Sequence, residues 1–268
     1  MAVYTEVGEE DLAAFIAQYD IGEVLSATGI AEGVENSNYL LRTKGGSFIL
    51  TLYENRVDPA DLPFFLALKE HLAAKGIGCP VPIRARDGEV LHELSNRPAA
   101  IFTFLAGMWP QRIQPYHCGE LGRALARMHL AGDDFALRRA NNLSVQSWRP
   151  LLSRSADRAD EVQQGLAEDL DTELAALELN WPDTLPGGVI HADLFPDNVF
   201  FRGSELTGLI DFYFACTDMF AYDIAICINA WCFDLDGKFN MTKVKSLLMA
   251  YRMVRVLSDD ELAALPIL

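Results

Sequence analysis

The sequence holds 268 residues, half of them hydrophobic, with 38 acidic against 22 basic side chains and a net charge of −16. A chain of this length can bury a sizeable core, in one domain or in two closely joined lobes. Its acidic balance repels a phosphate backbone, which argues against a nucleic-acid partner because such a partner needs a basic patch.

The first residues, MAVYTEVGEEDLAAF, carry acids where a signal peptide needs a basic segment followed by a long apolar run. Residues 9–19 place Leu12, Phe15, Ile16 and Tyr19 at helical spacing, which predicts a short amphipathic helix. Three β-like runs follow, at 24–31, 38–43 and 47–54, with Lys44-Gly45-Gly46 turning the last two into a hairpin. Asp58 and Pro59 supply an N-cap and a first-turn proline for a helix that runs to about Lys75, where Gly76 stops it. The apolar stripe of this helix, between 62 and 72, reads as packing. A second hairpin is expected around Asp87-Gly88, then a strand at 99–105. From Pro115 the pattern is mostly helical, with Leu121, Leu125 and Met128 on one face. A small hairpin over 189–211, turning at Gly203-Ser204, interrupts it. The most apolar segment, 212–233, is broken by Asp218, Asp223 and Asn229, so it predicts a buried helix and no membrane span. Ser258 caps a last short helix. The five cysteines form no CxxC pair. That pattern predicts reduced thiols in a cytoplasmic protein. The organisation is a β-rich part to residue 104 and a helical part over 105–268.

The segment HADLFPDNVFF (191–201) concentrates the chemistry. Asp193 and Asn198 lie in a loop, and the hairpin behind them returns the chain to Asp211 at the end of an apolar strand. Two acids and one amide thus converge. Carboxylate and amide oxygens are hard ligands that suit Mg²⁺, which prefers few protein ligands and keeps room for phosphate oxygens. The remaining acid can accept a proton from an attacking hydroxyl, which is the division of labour of phosphoryl transfer.

The order HADLFPDN…IDF resembles the His-x-Asp-x-x-x-x-Asn and downstream Asp signature of aminoglycoside-phosphotransferase-like kinases. GVENSNYLL (33–41) is similar to their phosphate loop, 61–82 to their first-lobe helix and its exit, 97–110 to their hinge strand and 220–233 to a later helix. Within that group AEGVENSNYLL, DLPFFL and HADLFPDNVFF…LIDFYFA look most like bacterial homoserine kinases. The resemblance implies an α+β, two-lobe, protein-kinase-like fold with a small antiparallel sheet in the first lobe and a mostly helical second lobe. It implies ATP and Mg²⁺ as cofactors and a small-molecule acceptor, L-homoserine, in threonine biosynthesis. Asp193 matches the catalytic base and Asn198 and Asp211 the metal ligands. His191 matches a residue that braces the loop. Gly33, Ser37 and Asn38 match the phosphate cover, while Phe102, Thr103, Phe104 and Leu105 match the hinge that holds adenine.

The chain departs from that pattern in two places. The strand position that holds a phosphate-pairing lysine in most kinases reads Thr51, and the helix opposite shows no acid in LPFFLAL, so both members of the usual ion pair are missing. Relatives of this type also extend further at the C-terminus, so the sequence suggests a fragment or a shortened second lobe. For an amino-acid alcohol, Tyr213, Asp218 and Trp231 are the candidate acceptor contacts, with Arg42, Arg56 and Arg149 as cations for its carboxylate. Asp223 is expected to cap or brace its own helix. Two other readings stay open: a kinase of another small alcohol, such as choline, methylthioribose or an aminoglycoside, and a nucleotide-binding pseudokinase. The oligomeric state is not legible.

Overall fold

The computed structural model describes residues 5–31, 36–54, 57–182 and 184–268. They form two compact units, Met1–Gln111 with Asp197–Tyr213, and Arg112–Pro196 with Phe214–Leu268. Helices and antiparallel sheets together make the α+β class expected from the sequence.

In the first unit, helix α1 (Glu9–Ile16) precedes strands β1 (Val24–Gly29), β2 (Asn36–Thr43) and β3 (Gly46–Tyr53). Helix α2 (Leu62–Ala74) follows, then β4 (His92–Leu94) and β5 (Arg97–Thr103). The five strands form one antiparallel sheet in the order β1-β2-β3-β5-β4. Strand residues alternate between faces. Leu41, Leu50, Leu52, Ala99 and Ile101 therefore share one face, where they pack with Phe15, Ile16 and Tyr19. The register Ile49↔Phe102 and Thr51↔Ala100 puts Ile49, Thr51, Tyr53, Ala100 and Phe102 on the other face. Helix α2 meets that second face, with Lys69 standing 4.4 Å over the Phe102 ring. The helix is entered as its sequence predicts. The Asp58 carboxylate accepts from the Ala60 N–H at 2.9 Å, one 3₁₀ turn (Pro59–Asp61) leads in, and Gly76 beyond the last turn has φ +83°. Leu62, Phe65, Leu68 and Leu72 are fully buried. Each such side chain contributes about 1.5–3 kcal/mol of transfer free energy.

The expected hairpin at Asp87-Gly88 is corrected. These residues form a turn closed by the Gly88 N–H on the Ala85 carbonyl at 2.9 Å and the Ala85 N–H on the Glu89 carbonyl at 2.8 Å, but no strand flanks it on both sides. The hairpin joins β4 to β5 through Ser95-Asn96, at φ 53° and 57°. Two consecutive left-handed residues match the twist of the flanking strands, and asparagine tolerates that conformation better than most.

The second unit begins with α3 (Pro115–Ala131), α4 (Val145–Ser153), α5 (Ala156–Ala159), α6 (Leu166–Asn180) and strand β6 (Gly187–Ile190). The chain then contributes a hairpin, β7 (Val199–Arg202) and β8 (Glu205–Leu209), to the first unit. It resumes the second unit with β9 (Cys216–Met219), antiparallel to β6, and with α7 (Phe220–Trp231), α8 (Met241–Arg252) and α9 (Asp259–Ala264). Leu121, Leu125 and Met128 are fully buried, as their spacing predicts. Gly122 lets α8 approach closely, because a Cβ there would stand 2.2 Å from the Leu247 carbonyl oxygen. The segment 212–233 is not one helix: a 3₁₀ turn, strand β9 with Asp218 and helix α7 with Asp223 and Asn229 divide it. Ser258 caps α9 through a reciprocal pair with Glu261, at 2.9 and 3.1 Å. No helix among the described residues is long and apolar enough to cross a membrane.

Candidate active site

The hairpin β7–β8 brings Asn198 and Asp211 to its open end in the first unit. Val199 pairs with Leu209, and the Ile210 N–H donates to the Asn198 carbonyl at 2.9 Å, so Asp211 is the next residue beyond the ladder. The hairpin itself is fixed to the unit by the Leu209 N–H on the Gly78 carbonyl at 2.9 Å. Gly208 permits that crossing, since a Cβ would lie 2.7 Å from the Gly78 oxygen. Asp211 has φ +63°, a conformation that costs an L-residue about 1–2 kcal/mol. Asn198 is buried, and the Oδ1 of Asp211 is buried without a hydrogen bond. Burial pushes the Asp211 carboxyl up, Lys69 and the Tyr213 amide pull it down, and Asp197 adds to the rise. A buried carboxylate oxygen with no donor calls for a cation. One carboxylate with one amide fits Mg²⁺, which keeps several water or phosphate ligands of its own.

Lys69 is the residue that reading the sequence missed. It lies on α2 with only 4% of its surface exposed. Its ammonium is 4.4 Å from the Phe102 centroid, 4.6 Å from that of Tyr213 and 3.5 Å from the Tyr213 hydroxyl. Burial lowers its pKa to about 8, against the opposing pull of Asp211. The spacing Leu62, Phe65, Lys69, Leu72 was the available signal, because it puts a lysine in line with three core residues. The stripe is thus more than packing.

Ser37 and Asn38 are adjacent on β2, and their side chains point to opposite faces of the sheet. The Ser37 hydroxyl donates to Glu54 at 2.7 Å and accepts from the Thr5 N–H at 3.0 Å, while Glu54 also meets Arg97 at 3.3 Å. Asn38 shares the α2-facing side with Thr51, whose hydroxyl donates to its Oδ1 at 2.8 Å. Gly33 and Arg56 lie outside the described residues. Thr103 ends β5 and exchanges two bonds with Val81, both 2.9 Å, while Phe104 beyond it is exposed and Leu105 half-buried. The half-buried Tyr213 packs its ring edge-on against Tyr53 and Phe65 at 5.6 and 5.5 Å within the first unit.

In the second unit the loop after β6 carries His191 and Asp193. The Asp223 carboxylate accepts from the backbone N–H of His191 at 2.8 Å and of Ala192 at 2.9 Å, and contacts His129 Nε2 at 3.0 Å. His129 Nδ1 lies 2.7 Å from the Tyr251 hydroxyl, which accepts from Arg255 at 3.3 Å, and Arg255 pairs with Glu261 at 2.8 Å. Burial lowers the His129 pKa, although Asp223 opposes it. Burial raises the carboxyl of Asp223, but His129 and His191 outweigh that and hold it below the usual range. A neutral His129 donating from Nε2 to an ionised Asp223, and accepting from Tyr251 at Nδ1, satisfies both directions. Trp231 Nε1 donates to the Leu194 carbonyl at 2.6 Å. Half-buried Asp193 is therefore fixed on both sides, by amides before it and a carbonyl after it.

Two expectations are corrected here. Asp223 braces the loop of Asp193 rather than its own helix. Trp231, fully buried, is a second brace and not an acceptor wall. Asp218 stays half-buried on β9, accepting from Asn141 and from the Met219 N–H, each at 2.7 Å. Arg149 is occupied by Asp171 and Glu178, both at 2.7 Å, and Arg42 is exposed on β2. No single sequence motif links His129 to Asp223, because helices far apart in the chain contribute them.

Comparison with known proteins follows the same lines. A family model described as the phosphotransferase enzyme family matches residues 26–257. A homoserine kinase of Paramagnetospirillum magneticum is 61% identical over all of this chain and 84% of its own length. One of Bradyrhizobium diazoefficiens is 62% identical over all of this chain and 82% of its own. Among solved structures, an amicoumacin kinase in complex with AMP-PNP superposes with a TM-score of 0.75 at 17% identity, covering 97% of this chain and 81% of that one. A spectinomycin phosphotransferase gives 0.73 at 13% identity, over 97% and 84%. At those identities the likeness is one of fold.

Proposed function

This chain belongs to the phosphotransferase enzyme family, and on that premise we propose that it transfers the γ-phosphoryl group of ATP to the hydroxyl of L-homoserine. The observation that carries the acceptor is the 61% identity to a homoserine kinase over the whole of the present chain. In this reading Asp193 orients the acceptor hydroxyl and takes its proton as the oxygen attacks the γ-phosphorus. The bond from that phosphorus to the β–γ bridging oxygen breaks, and ADP leaves. His191, through its amide on Asp223, fixes the loop of Asp193 and does no proton transfer. Asn198 and Asp211 are the residues that would hold Mg²⁺, which when bound supplies charge neutralisation at the phosphates. Thr103, Phe104 and Leu105 border the adenine, and Asn38, with Gly33 and its neighbours, borders the phosphates. Asp218 is the acid we assign to the acceptor ammonium, and its half-buried position on β9 supports that. We read the protein as cytoplasmic, which its five free, buried cysteines support.

The test is an acceptor panel of homoserine, serine, choline, methylthioribose and kanamycin with Mg·ATP, scored by ADP release. Homoserine should be turned over fast and the others poorly, because a pocket built for both charges leaves polar groups unpaired when either is missing. Faster turnover of choline or kanamycin overturns the acceptor and leaves the kinase. Nucleotide binding with no turnover of any acceptor favours a pseudokinase.

A further inference from the structure

We propose that Lys69 supplies, from helix α2, the phosphate-binding cation that the sheet does not provide at Thr51. This rests on the nucleotide reading above. A lysine held at 4% exposure is costly unless its charge is used, and among the described residues Lys69 makes no ion pair. Its surroundings are two aromatic faces and one phenol at 3.5 Å. Such contacts hold an ammonium in place without neutralising it. Asp211 lies close enough to raise its pKa, and Asp211 itself keeps a buried oxygen without a donor. The site therefore presents one cation and one anion that are not bonded to each other. A phosphate oxygen and a divalent metal complete that arrangement with opposite charges on each.

The face of the sheet supports the same assignment. Thr51 stands on the α2-facing side with Tyr53 and Phe102, and its hydroxyl is spent on Asn38 at 2.8 Å. The strand thus contributes no charge there. Lys69 reaches the same face from across the gap, on the stretch of the helix between the fully buried Phe65 and Leu72. A lysine is a compact point charge on a flexible stem. It can swing from the Tyr213 hydroxyl to a phosphate oxygen without moving the helix.

The test is calorimetric titration of the protein with ADP, with and without Mg²⁺, and ligand-observed NMR with adenosine, which has no phosphate. Lys69→Met keeps the length and apolar stem, and Lys69→Gln is the second variant should Met impair folding, as judged by thermal melting. ADP affinity should fall about ten- to a hundredfold, the scale of one charge-assisted hydrogen bond, while adenosine affinity stays level. Unchanged ADP affinity in the folded variant overturns the assignment. So does an equal loss for ADP and adenosine, which identifies a packing role. Wild-type protein that binds no ADP overturns the nucleotide reading together with this one.

Discussion

Asp193 sits in a loop whose flanking backbone is tied down at His191, Ala192 and Leu194. A substitution there changes the carboxylate and leaves the loop in place. Asp193→Asn should lower kcat by about 10²–10⁴-fold with ADP affinity unchanged, the usual worth of a general base. Wild-type turnover in that variant removes Asp193 from the chemistry. The metal residues should separate by charge: Asp211→Ala should weaken Mg²⁺-dependent ATP binding more than Asn198→Ala, because a carboxylate compensates a cation and an amide offers only a dipole. Mg²⁺ titrations of the two variants check this, and equal, small losses count against both roles. At this scale the sequence was most readable where one short motif holds all its parts, as in 191–198. It was least readable at Lys69, where a single charge was hidden in an apolar stripe. The helix opposite Thr51 was expected to lack an acid, and what it buries there is a lysine.

Elements joined by short-range rules were legible: α2 behind the Asp58-capped turn that leads into it, the β2–β3 hairpin and the β7–β8 hairpin all lie where capping and turn residues put them. The turn at Ser95-Asn96 was not, since it uses two left-handed residues without glycine, and Asp87-Gly88 offered a stronger but misleading signal. The brace formed by α3, α7 and α8 was illegible for another reason: its members meet only in three dimensions. That brace gives a pH prediction. His129 has a folded pKa below its unfolded value of about 6.5, so as pH falls below 6.5 the unfolded chain takes up a proton that the folded chain refuses. Its contribution to stability is present above that pH and is lost on acidification. Asp223, also depressed, loses its contribution only at lower pH, through the carboxylate range. His129→Gln keeps a donor for Asp223 but cannot titrate. The melting temperature of the wild type should therefore drop more between pH 7 and pH 5 than that of the variant. Parallel drops would show that His129 does not carry the acid limb.

For the molecule as a whole, a net charge of −16 sets a repulsive field for any anion approaching from solution. Screening shortens that field to about 10 Å at 0.1 M ionic strength. The association rate of Mg-free ADP should therefore rise with added salt in stopped-flow measurements, the opposite of a steered encounter. A falling rate would mean that local cations such as Lys69 govern the approach. The first unit is also discontinuous, built from Met1–Gln111 and the later Asp197–Tyr213. During synthesis its sheet emerges early, but the hairpin that binds Gly78 is made only after the intervening helices. At 5–20 residues per second that delay is on the order of ten seconds. For that interval the backbone at Gly78 has no partner from β8, so an expressed fragment ending near Gln111 would stay permanently in the state that the nascent chain only passes through.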